Sequence, residues 1–311
     1  MMKLVFMGSP DFALPSLNRL HEEGYEVAAV VTVPDQPAGR GQNLRPSAVK
    51  KRALELGLAV LQPQELQDAG FIEQMRNLAA DLYVVVAFRI LPAVLFTLPP
   101  RGTINLHASL LPGYRGAAPI NWALINGETE TGVTTFYIEE KIDTGMWLQQ
   151  ARVPIAPETT AGELFETLSL LGAEVLLQTL RGVESGRLRP QLQSGTVTRA
   201  PKITRELTRI DWRKPAAQIH NLIRGLSPYP GATTVLHGKS IKIIKSALIQ
   251  TQGGATPGSV IFAQACGEWI VAAGEGALRL LEVQPEGGRP MPSAAFLRGH
   301  PVVAGEKFET L

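Results

Sequence analysis

KLVFMGSPDFALPSLNRLHEEGYEVAAVVTV, residues 3–33, decides the fold. Residues 4–7 form a short apolar run that stops at Gly8, Ser9 and Pro10. A helix-like stretch follows over 11–20, then a second run rich in Val and Ala over 26–33. Neither run alternates apolar with polar residues, as strands covered on both faces do not. Moving outward, residues 58–61 and 82–87 read as further buried strands, with helices around 46–57 and 67–79. Strands alternating with helices predict an α/β protein with a Rossmann-like, mostly parallel sheet. Such sheets bind ligands beyond the carboxyl ends of their strands. The loop over 34–45 and the residues after a strand at 102–106 are expected to meet there.

The C-terminal third reads differently. Leucines at 164, 168, 171, 176, 177 and 180 predict a long amphipathic helix over 159–182. A polar stretch with little periodicity follows. Residues 207–311 carry short Val/Ile runs at 233–236, 241–244, 258–262, 269–273 and 278–283, separated by glycine-containing turns. Strands at that spacing predict a small OB-like β-barrel, with a helix over 215–224 at its entrance. The expected organisation is a catalytic domain over 1–184, a linker over 185–206 and the barrel domain over 207–311.

Composition narrows the function classes. Of 311 residues 45% are hydrophobic, enough for a core in each domain. The single cysteine, Cys266, excludes an internal disulfide or a cysteine-based zinc site. No run of about 18 apolar residues and no secretory leader is read, so a cytoplasmic protein with no membrane partner is expected. Neither G-x-G-x-x-G nor G-x-x-x-x-G-K-[ST] occurs, which disfavours nicotinamide and ATP chemistry. The histidines other than His107 (His21, His220, His237 and His300) are dispersed, and no metal is expected. Net charge is +2 but unevenly spread. Residues 201–250 hold nine Lys/Arg against two Asp/Glu, and Arg40, Arg45, Lys50, Lys51 and Arg52 cluster, with Asp35 the one acid between 34 and 52. Such asymmetry points to a polyanionic partner.

The chemistry concentrates between 105 and 145. Asn105 and His107 stand two apart in a strand, and residues two apart share a face. Asp143 follows a second strand, read over 132–138, in a polar turn. An amide, an imidazole and a carboxylate together can hold a carbonyl oxygen, move a proton and orient the base. That set suits acyl-type transfer without a covalent enzyme intermediate. Ser109 lies near His107, but no G-x-S-x-G elbow surrounds it.

The segment NLHASLLPGYRG (105–116), continuing to Gly145, resembles the signature of enzymes that transfer a formyl group from 10-formyltetrahydrofolate. The opening LVFMGSPDFALPSL, the loop PDQPAGRGQNLRPSAVK, the helix GAAPINWALINGE, the IDW at 210–212 and the LSPYPGA at 226–232 are similar to the branch of that family acting on methionyl-tRNA. The resemblance runs essentially end to end. It implies the formyltransferase fold, 10-formyltetrahydrofolate as co-substrate and initiator methionyl-tRNA as acceptor, with the chain acting as a monomer. Asn105, His107 and Asp143 then stand at the family's catalytic positions. Ser109, Leu110, Leu111 and Pro112 match its folate-binding loop, and Phe88, Arg89, Ile90 and Leu91 fall at its pterin pocket. Phe88-Arg89 departs from the Tyr-Gly common there and is similar to the glycinamide ribonucleotide formyltransferases. Arg40, Arg45 and Lys50 would contact tRNA, with Arg40 between Gly39 and Gly41 as a cationic finger. An amino-sugar nucleotide or glycinamide ribonucleotide as acceptor, and a non-catalytic tRNA-binding role, are the alternatives.

Overall fold

The computed structural model describes residues 1–38, 43–251, 254–264 and 267–309. Arg40, its flanking glycines and Cys266 lie outside the described residues. The chain divides into two compact units. The first comprises Met1–Gly116, Thr131–Val153 and Phe165–Arg199; the second comprises Ala117–Glu130, Pro154–Leu164 and Ala200–Leu311.

The first unit is built on seven strands: β1 (Lys3–Gly8), β2 (Glu26–Val31), β3 (Val60–Leu61), β4 (Leu82–Val86), β5 (Thr103–His107), β6 (Glu130–Tyr137) and β7 (Trp147–Pro154). Their order across the sheet is β7-β6-β5-β4-β1-β2-β3. The pairs β3–β2, β2–β1, β1–β4 and β4–β5 are parallel, whereas β5 and β6 run antiparallel. The central strands are continuous apolar runs because both faces are covered: all of β4 and five of six residues of β1 are buried. Val5, Met7, Tyr83 and Val85 join Phe71, Ile72 and Met75 from helix Ala69–Asn77 in one core cluster. Helix starts are fixed by side chains. Ser47 accepts from the Lys50 amide at 3.0 Å and Asp68 from the Phe71 amide at 2.8 Å. Gly8 belongs to packing rather than to a phosphate loop. A Cβ there would lie 2.9 Å from both Ala13 Cβ and the Val86 carbonyl.

The parallel strands place their carboxyl ends side by side. Gly8 pairs with Val86, and Val86 with Leu106. The segments leaving β1, β2, β4 and β5 therefore emerge along one rim of the sheet.

The second unit holds an antiparallel sheet. Its strands are β8 (Ala232–Leu236), β9 (Lys239–Ile249), β10 (Val260–Ala263), β11 (Trp269–Ala272), β12 (Ala277–Pro285) and β13 (Met291–Pro292). The order is β8-β9-β12-β11-β10, with β13 also on β12. The tail stitches the two outer strands together. The Glu309 amide donates to Val235 on β8 at 2.9 Å, and the Val260 amide on β10 donates to Glu306 at 2.7 Å. That closure is how a barrel disposes of its edges. Trp212 and Trp269 are fully buried and stack on Phe308 at 5.2 and 5.6 Å. The Trp212 indole N–H donates to Thr234 at 2.9 Å, whereas the buried Trp269 indole nitrogen has no partner among the described residues. The long helix, Ala161–Glu184, starts with a capping box. Glu163 accepts from the Thr160 amide at 2.8 Å, and Thr160 accepts from the Glu163 amide at 3.3 Å.

Candidate active site

His107 is the last residue of β5, with 8% of its side chain exposed. One turn of chain later, the Tyr114 carbonyl lies 2.9 Å from His107 Nε2. A carbonyl only accepts, so Nε2 carries a proton and Nδ1 is the nitrogen left to exchange one. Nδ1 faces Asp143, whose Oδ2 stands 3.8 Å away. That oxygen already accepts from the Gly116 amide at 2.8 Å. The carboxylate is thus aimed by the loop backbone and stands beyond hydrogen-bond distance of the imidazole. Asn105 lies two residues back on β5, half-buried, opposite Phe136 in the register. Its amide has no hydrogen-bond partner among the described residues, which leaves two donors for a ligand.

Asp143 reaches this position by an indirect route. β6 ends at Tyr137, which pairs with Ile104 near the amino end of β5. The following loop folds back, with Asp143 in left-handed backbone at φ 54°. Gly145 is required for the tight return, because a Cβ there would stand 1.7 Å from the Tyr137 carbonyl.

The loop after His107 is braced throughout. Ser109 Oγ donates to the Gly113 carbonyl at 2.6 Å. Thr134 Oγ1 donates to the Ser109 carbonyl at 2.6 Å and accepts from the Leu111 amide at 3.1 Å. Gln150 Nε2 donates to the Leu111 carbonyl at 2.8 Å. Leu111 is buried, and Leu110 and Pro112 complete the loop. Tyr114, also at positive φ, donates its amide to Thr198 Oγ1 at 2.8 Å.

Phe88, Arg89, Ile90 and Leu91 leave β4 at the same rim, one strand over from His107. Leu91 is buried, whereas Ile90 is 72% exposed and offers an apolar surface. Arg89 is turned aside. Its guanidinium donates to the Pro63 and Gln64 carbonyls at 2.8 and 2.9 Å and lies 5.3 Å over the Phe88 ring. Burial pulls its guanidinium below the ordinary range, partly offset by Glu65.

The basic cluster is only partly gathered. Arg45 sits on a short strand, Asn43–Arg45, paired with Gln36–Ala38, and is exposed. Lys50 is engaged. Its ammonium donates to both Asp35 oxygens at 2.9 and 2.7 Å. That bond, then one from Gln62, holds the Asp35 carboxyl below its usual range. The single acid in the cluster has therefore claimed the lysine expected to contact tRNA.

Sequence reading missed Thr134, Gln150, Gln193 and Thr198, which hold the loops in place. Gln193 Nε2 donates to the Asp143 and Gly145 carbonyls at 2.9 and 2.8 Å. The polar stretch expected as a linker thus runs beside the site over part of its length. Gln150 lies among half-buried residues of β7, with no pattern in the sequence to single it out. Among the described residues no group of three metal-ligating side chains occurs, and no helix is long and apolar enough to cross a membrane.

Residues 2–180 match the model of the formyl transferase family, and residues 202–301 match that of the formyl transferase C-terminal domain. A methionyl-tRNA formyltransferase from Caldanaerobacter subterraneus subsp. tengcongensis is 48% identical over 98% of this chain and 99% of its own. One from Trichlorobacter lovleyi is 47% identical over 97% and 96%. Among solved structures, an N-formyltransferase from Helicobacter canadensis, in complex with folinic acid and dTDP-3-aminofucose, superposes with TM-score 0.68 at 21% identity. That match covers 94% of this chain and all of that one. HypX from Aquifex aeolicus in complex with tetrahydrofolic acid gives 0.67 at 18% identity, over 95% of this chain and 47% of its own. The chain spans about half of HypX, and at these identities both likenesses concern the fold.

Proposed function

The chain belongs to the formyl transferase family, and we propose that Asn105, His107 and Asp143 carry its reaction. That reaction moves a formyl group from 10-formyltetrahydrofolate to the α-amino group of methionyl-initiator tRNA, in support of translation initiation. The observation that carries the residue assignment is the approach of His107 Nδ1 to Asp143 Oδ2, 3.8 Å, beside an Asn105 amide on the same strand face that has no partner among the described residues.

The donor set fits the co-substrate. Bound folate supplies a one-carbon unit as a formamide, whose oxygen needs hydrogen-bond donors as negative charge develops on it. The Asn105 amide provides them. Ser109, Leu110, Leu111 and Pro112 hold the folate from one side, and Phe88, Ile90 and Leu91 from the other. Arg89, tied to Pro63 and Gln64, leaves that space free.

An α-amine has a pKa near ~7.7–8.0 and an adjacent ester lowers it, so the attacking amine is largely neutral at working pH. Once it bonds to the formyl carbon it must lose a proton. His107 Nδ1 accepts that proton, directly or through water, while Nε2 stays on the Tyr114 carbonyl. Asp143 stabilises the imidazolium so formed and holds its orientation. The proton then passes to the departing folate nitrogen.

The tRNA falls to the basic surfaces. Residues 207–311 form the tRNA-binding domain, with Arg40 and Arg45 as contacts from the first domain. Lys50 joins them only by giving up Asp35. Phosphate contacts of this kind release counterions, so affinity falls steeply with salt. The compartment is the cytoplasm, and the chain acts as a monomer without membrane attachment.

Formyl transfer measured side by side on initiator methionyl-tRNA, elongator methionyl-tRNA, an amino-sugar nucleotide and glycinamide ribonucleotide tests the acceptor. The initiator tRNA is expected to react fastest by a wide margin. Faster transfer to the sugar nucleotide or the ribonucleotide would refute the assignment.

A further inference from the structure

Gln193 is placed to control the turn that carries Asp143. Its side-chain NH2 has two hydrogens, and each meets one carbonyl: Asp143 O at 2.9 Å and Gly145 O at 2.8 Å. Its Oε1 accepts from Arg115 Nη2 at 2.6 Å. The orientation of the amide is fixed by chemistry, because carbonyls only accept and a guanidinium only donates. Either side of Gln193 is anchored to the same region. Gln191 exchanges both backbone hydrogen bonds with Trp147 at 2.9 Å, and the Arg115 amide donates to the Thr198 carbonyl at 3.0 Å.

The turn needs such a clamp. Asp143 holds a left-handed backbone that non-glycine residues disfavour, and Gly145 has no room for a side chain. Strained turns persist only where their surroundings over-determine them. Here the carbonyls of Asp143 and Gly145 are held by one amide, and Asp143 Oδ2 is held by the Gly116 amide. Arg115, the residue beside Gly116, grips that same Gln193. One side chain thus ties together the two loops that bring Asp143 and His107 to 3.8 Å.

We propose that Gln193, backed by Arg115, is a positioning residue for formyl transfer that works through Asp143. The proposal rests on the active-site reading given above. A misplacement of about 1 Å at a catalytic group can cost roughly 10²-fold in rate. Releasing the turn should therefore slow the chemical step and leave substrate binding intact.

The test uses the full-length protein with 10-formyltetrahydrofolate and methionyl-initiator tRNA. Four variants are compared: Gln193→Ala, Gln193→Glu, Asp143→Ala and the double variant Gln193→Ala/Asp143→Ala. Gln193→Glu keeps an acceptor for Arg115 but sets an oxygen against two carbonyl oxygens, so it separates the clamp from the arginine contact. Both Gln193 variants are expected to lower kcat roughly 10- to 100-fold, with both KM values within about twofold of the parent. Because Gln193 acts through Asp143, the double variant should be no slower than Asp143→Ala alone. Parental kcat in Gln193→Ala, with Asp143→Ala slow, would overturn the clamp alone. So would a double variant slower than Asp143→Ala by the full Gln193→Ala factor, which is how general loss of folding would act. Parental turnover in Asp143→Ala would bring down the active-site reading itself.

Discussion

His107 and His220 are both buried histidines with Nε2 against a backbone carbonyl, yet their surroundings give them different work. His220 sits on helix Ala216–Leu226 of the second unit, its Nε2 3.3 Å from the Pro157 carbonyl and its Nδ1 3.0 Å from Ser246 Oγ. With Nε2–H donating and the serine hydroxyl donating to Nδ1, the neutral ring is fully satisfied. Burial pushes its imidazole below the ordinary range, aided by Arg224 and partly opposed by the Pro157 carbonyl and Glu158. His107 has the same carbonyl arrangement on Nε2, but a carboxylate stands 3.8 Å from Nδ1 where His220 has a hydroxyl. Burial alone therefore does not mark a catalytic histidine. What sets His107 apart is the nitrogen left open and the carboxylate that faces it, on which its proposed role rests.

The comparison can be broken first at Asn105, the proposed donor to the formyl oxygen. Asn105→Ala removes the amide that stands on the same strand face as His107. It should lower the single-turnover formylation rate by about 10²–10³-fold, equivalent to roughly 2.7–4 kcal/mol of barrier, with folding unchanged. A rate within a factor of two of the parent would show that the oxygen is held elsewhere.

Next comes the charge that separates the two histidines. Asp143→Asn keeps an oxygen for the Gly116 amide but removes the carboxylate. Turnover should fall roughly 10- to 100-fold, the range set by loss of general acid–base assistance. Unaltered turnover would make the 3.8 Å approach incidental.

The smallest effect concerns His220, and it appears in stability. Folded His220 binds its proton less readily than the unfolded chain does. The stability it contributes is complete above about pH 6.5 and is lost as pH falls from there towards the lowered folded-state value. His220→Gln removes the titration. The thermal midpoint of the parent should therefore drop more steeply between about pH 7.5 and 5.5 than that of the variant, a difference readable by scanning calorimetry. Equal slopes would mean that His220 does not contribute to acid sensitivity.

Much of the fold is legible in the chain because its signals are local. The runs at 4–7, 26–33 and 82–87 lack alternation, and each proves to be a strand of the parallel part of the sheet, its ends set within a few residues. Asn105 and His107 were legible for the same reason, since strand alternation places them on one face. What could not be read is long-range. The chain leaves β6 at Tyr137, opposite Ile104, so the arrival of Asp143 at His107 depends on a loop whose path no periodicity encodes. Gln193 and Thr198 act across 48 and 84 residues of chain, from a stretch with no regular pattern. Lys50 shows the limit of counting charges. A cluster of basic residues suggests a free cationic surface, but pairing depends on where one acid lies, and Asp35 lies within 2.7 Å.

The most direct measurement sets the two histidines against each other in a single experiment. His107→Gln and His220→Gln are each assayed in single turnover, with 10-formyltetrahydrofolate and methionyl-initiator tRNA saturating. His107→Gln is expected to lose at least about 10²-fold in rate, and His220→Gln to stay within about twofold of the parent. Parental chemistry in His107→Gln, or an equal loss in both, would contradict a reaction built on His107, Asp143 and Asn105.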